Sequence, residues 1–168
     1  IYEALAETWI RQEEMDMYRG VDPSPKLGQA LAAAERALEA GPQESFGHTK
    51  KAFAYFFSMY FRQSQQKTAE VKALAQQVIQ SAEAALRLHP EDAFAYDVMG
   101  NAYTSLGSIG AGSPEENQRA LQKAITYLSR AIQLSPRFAW AYNDLGSAYL
   151  FDGIAVQTTV ERKSKAID

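Results

Sequence analysis

This sequence comes nearest to reactive chemistry in the stretch Gly107-Ser108-Ile109-Gly110-Ala111-Gly112, which runs into Ser113-Pro114. Glycines leading into a helix N-terminus leave backbone amides free to attract an anion such as phosphate. A nucleotide-binding loop also needs a preceding strand, a set glycine spacing and a lysine on the helix, and the stretch has none of these. It reads as a flexible connector. His48 and His89 are the only histidines and cysteine is absent, which leaves little material for metal sites or nucleophilic triads. His89, just before Pro90, is placed to complement the negative end of a helix dipole. Glu13 with Glu14, and Glu115 with Glu116, are adjacent acids on different helix azimuths and read as solvated. No Ser-His-Asp, metal-ligand or kinase motif is present. The expectation is a non-enzymatic chain with no cofactor and no metal.

Composition bounds the remaining classes. Of 168 residues, 46% are apolar and 22% charged, enough to bury a core and to argue against disorder. A net charge of −3 offers no basic field for a phosphate backbone, which argues against nucleic acid as a partner. No apolar run approaches the roughly 20 residues of a membrane span, so no membrane partner is expected, and a cytoplasmic location is. The chain begins at Ile1 rather than Met, and it reads as a segment of a longer protein.

The strongest signal is internal repetition. Ala95-Tyr96-Asp97-Val98-Met99-Gly100-Asn101-Ala102-Tyr103 and Ala141-Tyr142-Asn143-Asp144-Leu145-Gly146-Ser147-Ala148-Tyr149 are near-copies. Weaker copies centre on Ala6 and Ala52, so the small residues at 6, 52, 100 and 146 lie 46, 48 and 46 apart. A second set recurs beside them. Ala30, Ala34 and Ala37 lead to Pro42; Val78, Ala82 and Ala85 to Pro90; Ala124, Leu128 and Ala131 to Pro136. Residues at i, i+4 and i+7 share one helix face, and the proline ends each helix. Small residues in one helix and an apolar stripe in the next predict antiparallel helix pairs with close backbones.

This pattern resembles the tetratricopeptide repeat (TPR) family, whose helix pairs stack into a solenoid. The resemblance implies an all-α, right-handed α-solenoid of about 3.5 repeats, forming a single domain over 1–168. The repeats fall at about 1–42, 43–90, 91–136 and an incomplete 137–168. The usual repeat is about 34 residues, so each copy here is stretched. The excess lies between the paired helices, at 16–26, 58–71 and 108–118, and predicts long helices with inter-helix loops projecting from one edge. Ser113-Pro114-Glu115-Glu116 and Asp22-Pro23-Ser24-Pro25 carry helix-start chemistry, and Ser64-Gln65-Gln66 suits a polar turn. Ser164 to Asp168 resembles the start of a further helix, while Gly153 to Asp168 also fits an extension of the seventh helix, a loop or a frayed eighth.

In that family the first helix of each pair lines a concave groove. Carried over by spacing, the groove holds Glu3, Glu7 and Ile10, then Phe46, Thr49, Phe53 and Phe56. It continues with Phe94, Asp97, Asn101 and Thr104, then Trp140, Asn143, Ser147 and Leu150. The partner-binding set expected from these is Phe46, Thr49, Phe94, Asp97, Asn101, Trp140, Asn143 and Ser147. Aromatic side chains supply contact area at low entropic cost and asparagines can bond an extended backbone. Phe53 and Phe56 are weighed toward core packing instead. A clamp for a partner's C-terminal carboxylates needs lysines that are missing at the matching positions, so a basic or apolar peptide suits the groove better.

Three functional readings stay open. The first is a protein–protein interaction module that binds a peptide or partner helix in the groove. The second is the sensory or substrate-recruiting arm of a signalling protein, since Gly20-Val21-Asp22-Pro23-Ser24-Pro25 is similar to long repeats C-terminal to bacterial serine/threonine protein kinase domains. The third is a self-assembly scaffold, a homodimer formed through the truncated C-terminal repeat.

Overall fold

The computed structural model describes residues 1–110 and 112–165, with side chains described through residue 157. Among the described residues there are seven α-helices and no strand. They are α1 (Tyr2–Tyr18), α2 (Ser24–Ala40), α3 (Phe46–Ser64), α4 (Thr68–Leu88), α5 (Ala93–Ser108), α6 (Pro114–Leu134) and α7 (Ala139–Lys165).

Each helix packs on the next in sequence, and the odd-numbered helices also touch in series, α1 on α3, α3 on α5 and α5 on α7. Among the described residues, α2, α4 and α6 touch only their sequence neighbours. The core runs along the seams. Ala6 and Ala52 are fully buried, as are Val78, Ala82, Ala85, Ala124, Leu128 and Ala131. Small residues at these places let neighbouring helix backbones come close, while the aliphatic stripe fills the seam.

Helix ends follow local chemistry. Ser113 Oγ accepts the Glu116 amide at 3.2 Å, and Glu116 Oε2 accepts the Ser113 amide at 2.8 Å. This reciprocal capping box satisfies donors left free at the start of α6. Asp92 caps α5 by accepting the amides of Phe94 and Ala95 at 3.0 and 3.1 Å. Asp22 Oδ1 accepts the Ser24 amide at 2.9 Å. Gln66 turns the chain between α3 and α4 at φ 58°.

Four expectations change. The added residues lengthen the helices as expected, but the projecting loops are absent among the described residues, because α2, α4 and α6 begin within six residues of the end of the helix before them. Of the alternatives for the C-terminal segment, the extension of α7 holds, to Lys165, while the helix start expected at Ser164 does not; Ala166 to Asp168, like Ala111, lie outside the described residues. Gly100 has the close helix contact expected of it, since an added Cβ would sit 2.5 Å from Leu128 Cγ. Gly146 does not, for among the described residues nothing lies within 4 Å of the same point. No described helix follows α7 to meet it.

The fourth correction is Glu13, which is fully buried rather than solvated. Ala6, Ile10 and Glu13 follow the i, i+4, i+7 rule, so Glu13 shares the buried face of α1. Its Oε1 accepts Ser58 Oγ at 3.4 Å, and Oε2 has no partner. Burial pushes its carboxyl up to about 8.

Candidate functional site

The seriated odd helices leave a hollow on their shared face. A cavity of about 750 Å³ lies between α1, α3, α5 and the start of α7. Phe46, Phe53, Phe57, Phe94, Phe138 and Trp140 supply most of its apolar wall. A second hollow of about 290 Å³ adjoins it and shares Phe57, Ala139 and Trp140. Phe46, Phe53 and Phe57 reach one face because α3 repeats them at helical spacing. The aromatic wall is continuous, with the Phe94 ring centroid 4.8 Å from Phe138 and 6.2 Å from Phe53. Phe53 and Phe56 are both half-buried and in ring contact with Phe57.

The expected binding residues divide among these hollows. Phe46, Thr49, Phe94, Asp97 and Trp140 line the larger one; Asn101, Trp140 and Asn143 line the smaller. Ser147 lines neither, and its hydroxyl donates to the Asn143 carbonyl at 3.2 Å. Glu7, Ile10 and Phe53 also face the larger hollow and Phe56 the smaller, whereas Glu3 and Leu150 are exposed away from both. Thr104 is buried and bonds the Gly100 carbonyl at 3.0 Å.

Exposure separates contact surface from framework. Phe94 and Trp140 are 53% and 49% exposed, so their rings are open to a partner. Thr49 is buried, and its hydroxyl donates to Asp92 Oδ2 at 2.7 Å, linking α3 to the start of α5. Asn101 is similarly engaged, with Nδ2 donating to Asp144 Oδ2 at 2.8 Å and to the Asp97 carbonyl at 3.2 Å. Asn143 donates to Asp144 Oδ1 at 3.3 Å and is otherwise exposed.

The electrostatic centre is Asp97. It is 3% exposed and its Oδ1 has no hydrogen-bond partner. Burial pushes its carboxyl up to about 8, with the Asp144 charge adding to the effect. Burial also raises Asp144, against the lowering influence of the Asn101 and Asn143 hydrogen bonds. An unpaired buried acceptor in an aromatic hollow favours a donor brought by a ligand.

Sequence reasoning missed Lys50, Phe57, Phe138 and Asp92. Lys50 Nζ lies 4.7 Å from the Phe46 ring centroid and 5.9 Å from that of Phe53. The same ammonium pairs with Glu7, which also holds Arg11 at 3.1 Å. Its place between Phe46 and Phe53, at i−4 and i+3, was legible from helical spacing. Phe138 and Asp92 lie just before α7 and α5, outside a count made along helix positions alone.

The arrangement combines aromatic area, one buried carboxyl oxygen without a hydrogen-bond partner and ion pairs around its margin. Among the described residues, no group of three or more His, Asp or Glu is placed to hold a metal ion. The family model for the plant-specific mitochondrial import receptor subunit TOM20 matches residues 30–151. That span is most of the chain, and the protein belongs to this family. No curated protein matches it.

Membership settles the broad class and corrects several expectations. The family is one of non-enzymatic import receptor subunits, whose partners are proteins. The matching family is neither the tetratricopeptide repeat nor the bacterial kinase-associated repeats. The signalling-arm and scaffold readings fall with that resemblance. A mitochondrial import receptor also overturns the cytoplasmic placement. The physical reason is that small residues and stripes ending in proline are what close-packed helix pairs generally require, so they do not separate one such family from another. Gly20 to Pro25 proves equally general, as the turn and cap that begin α2.

Proposed function

We propose that this chain receives proteins for mitochondrial import by holding a segment of the incoming polypeptide in the hollow along α1, α3, α5 and α7. The described helices then form a single domain, a right-handed α-solenoid of about three and a half helix pairs. The odd helices touching in series while the even ones do not supports a stack curved toward the odd side. Phe46, Phe94 and Trp140 provide the apolar contact, with Thr49, Asp97, Asn101, Asn143 and Ser147 on or beside the same surface.

The observation that carries this reading is the unpaired Asp97 carboxyl set in an aromatic wall. Such a site favours an apolar segment that also brings a Lys or Arg donor, whose charge draws the Asp97 carboxyl, held near 8 by burial, back toward its ionised form. The lining carries Glu7, Glu14, Asp92 and Asp97 alongside Arg11, Lys50 and Arg137, and Arg11 and Lys50 are already paired with Glu7, so an acidic segment finds few free cations there.

The test is fluorescence anisotropy with a labelled, amphipathic, lysine-bearing peptide. Trp140→Ala and Asn143→Ala together are expected to weaken binding about tenfold or more, and a glutamate-for-lysine peptide to bind worst. A folded double variant that binds as well as the parent chain removes the groove from the account.

A further inference from the structure

The smaller hollow is walled by aromatic rings from three helices. Tyr18 comes from α1, Phe56, Phe57 and Tyr60 from α3, and Trp140 from α7. Phe56 and Tyr60 share a face of α3 at i and i+4. Their ring centroids lie 6.1 Å apart at an interplanar angle of 49°, and Phe57 lies 5.2 Å from Phe56 at 57°. Rings set at these angles are not stacked face to face, so π-faces stay open. Tyr18, Tyr60 and Trp140 are each about half exposed or more. At about 290 Å³ the hollow stands at the small end of ligand sites, roughly 300–1,000 Å³. It suits a small group rather than a helix.

Asp144 supplies the carboxyl of this lining, and no Lys, Arg or His accompanies it there. Its Oδ2 accepts Asn101 Nδ2 at 2.8 Å and its Oδ1 accepts Asn143 Nδ2 at 3.3 Å. Both donors are neutral, so they leave its charge without a counter-ion in the hollow. Asp97 adds a like charge nearby. Burial raises the pKa of the Tyr18 hydroxyl, with Glu14, Tyr60 and Asp144 adding to the effect. Tyr18 of α1 and Asp144 of α7 are therefore within electrostatic reach of each other. The larger hollow differs, since Arg11, Lys50, His89 and Arg137 line it. Open π-faces beside an uncompensated carboxylate attract a cation. A primary ammonium carries three N–H donors, each needing an acceptor once it leaves water, and both Asp144 oxygens are already engaged. A trimethylammonium group brings charge without donors and rests its methyl groups on the rings.

We propose that the smaller hollow binds a trimethylammonium group, such as that of choline, against the rings of Tyr18, Tyr60 and Trp140 with Asp144 as its counter-charge. The site is independent of the groove reading, because Tyr18, Phe56, Tyr60 and Asp144 line the smaller hollow and not the larger. Free choline and the headgroup of phosphatidylcholine both carry this group, and experiment separates the two sources.

The probe is choline chloride titrated onto the full-length protein at constant ionic strength, with no peptide present. The indole N–H of Trp140 reports by NMR, and Trp9, which lines neither hollow, is the internal reference. Saturable binding is expected, about tenfold or more tighter than that of ethanolamine, the primary-ammonium control. Tyr60→Ala and Asp144→Asn should each weaken it about tenfold. Tyr60 is half exposed, so its truncation leaves the core intact even if the change at Asp144 disturbs the link to Asn101. Flotation with vesicles made with and without phosphatidylcholine identifies the source. Capture by the phosphatidylcholine vesicles alone, competed by choline, assigns the headgroup; choline binding with no vesicle preference assigns the free ligand. The proposal is overturned if choline does not bind, if ethanolamine binds equally well, or if folded Tyr60→Ala keeps the parent affinity.

Discussion

Asn101 Nδ2 stands 2.8 Å from Asp144 Oδ2 and ties α5 to α7 across 43 residues of sequence. The same separation joins Thr49 to Asp92 and Lys50 to Glu7. One polar link therefore recurs at each junction between successive odd helices. The links lie beside the apolar wall of the hollow, so the bonds that hold the stack together also set the geometry of the proposed binding surface.

Replacing Asn101 by Leu should test the last of these links. The change strips Asp144 of a hydrogen bond that favours its charged form. A bond to a charged group is worth about 1.5–3 kcal/mol, and a loss in that range is expected in urea denaturation at neutral pH. The loss should shrink in acid as Asp144 takes up a proton. An unchanged midpoint at neutral pH would count against a structural role for the pair.

Gly100 and Gly146 stand at equivalent places in the repeat, yet their alanine variants should move stability in opposite directions. Gly100→Ala drives a methyl group against Leu128 and the Ala124 carbonyl, which an added Cβ would approach to 2.5 and 3.3 Å. Overpacking of that kind costs about 1–3 kcal/mol. Gly146→Ala meets open space and should gain about 0.4–1 kcal/mol through helix propensity and reduced unfolded-state entropy. Thermal melts of the two variants give the signs directly.

Asp97 and Glu13 should make the fold less stable as pH rises. Burial pushes each carboxyl up to about 8 in the folded chain, against ordinary values of 3.8 for Asp97 and 4.5 for Glu13. Between these limits the folded state holds protons that the unfolded state has released, so stability falls with pH across this window. Asp97→Asn should remove part of the slope and Glu13→Gln a further part. Each should stabilise the protein at pH 8 by roughly 1–3 kcal/mol, the range for relieving a buried unsatisfied polar group. Urea midpoints at pH 5 and pH 8 check this, and a double variant with the parent slope would contradict it.

The helical register was legible in the chain before any coordinates. The stripes at Val78, Ala82 and Ala85 and at Ala124, Leu128 and Ala131 are buried as their spacing requires, because a period of 3.6 is a local property of the backbone. Glu13 was equally legible, lying seven residues from Ala6, but its charge argued for solvent. Tertiary packing overrode that preference.

What sequence alone determined was that paired helices recur every 46 to 48 residues, and that the stripes of α4 and α6 face inward. Helix periodicity and chain stops are set by neighbours a few residues away. Three matters depended on contacts between helices distant in sequence, which no local pattern encodes. They are the engagement of Asn101 and Thr49 in links between helices, the unpaired state of Asp97, and the emptiness beside Gly146 where Gly100 is filled. Identical residues met different surroundings, and only the folded arrangement of helices could say which notch holds a leucine.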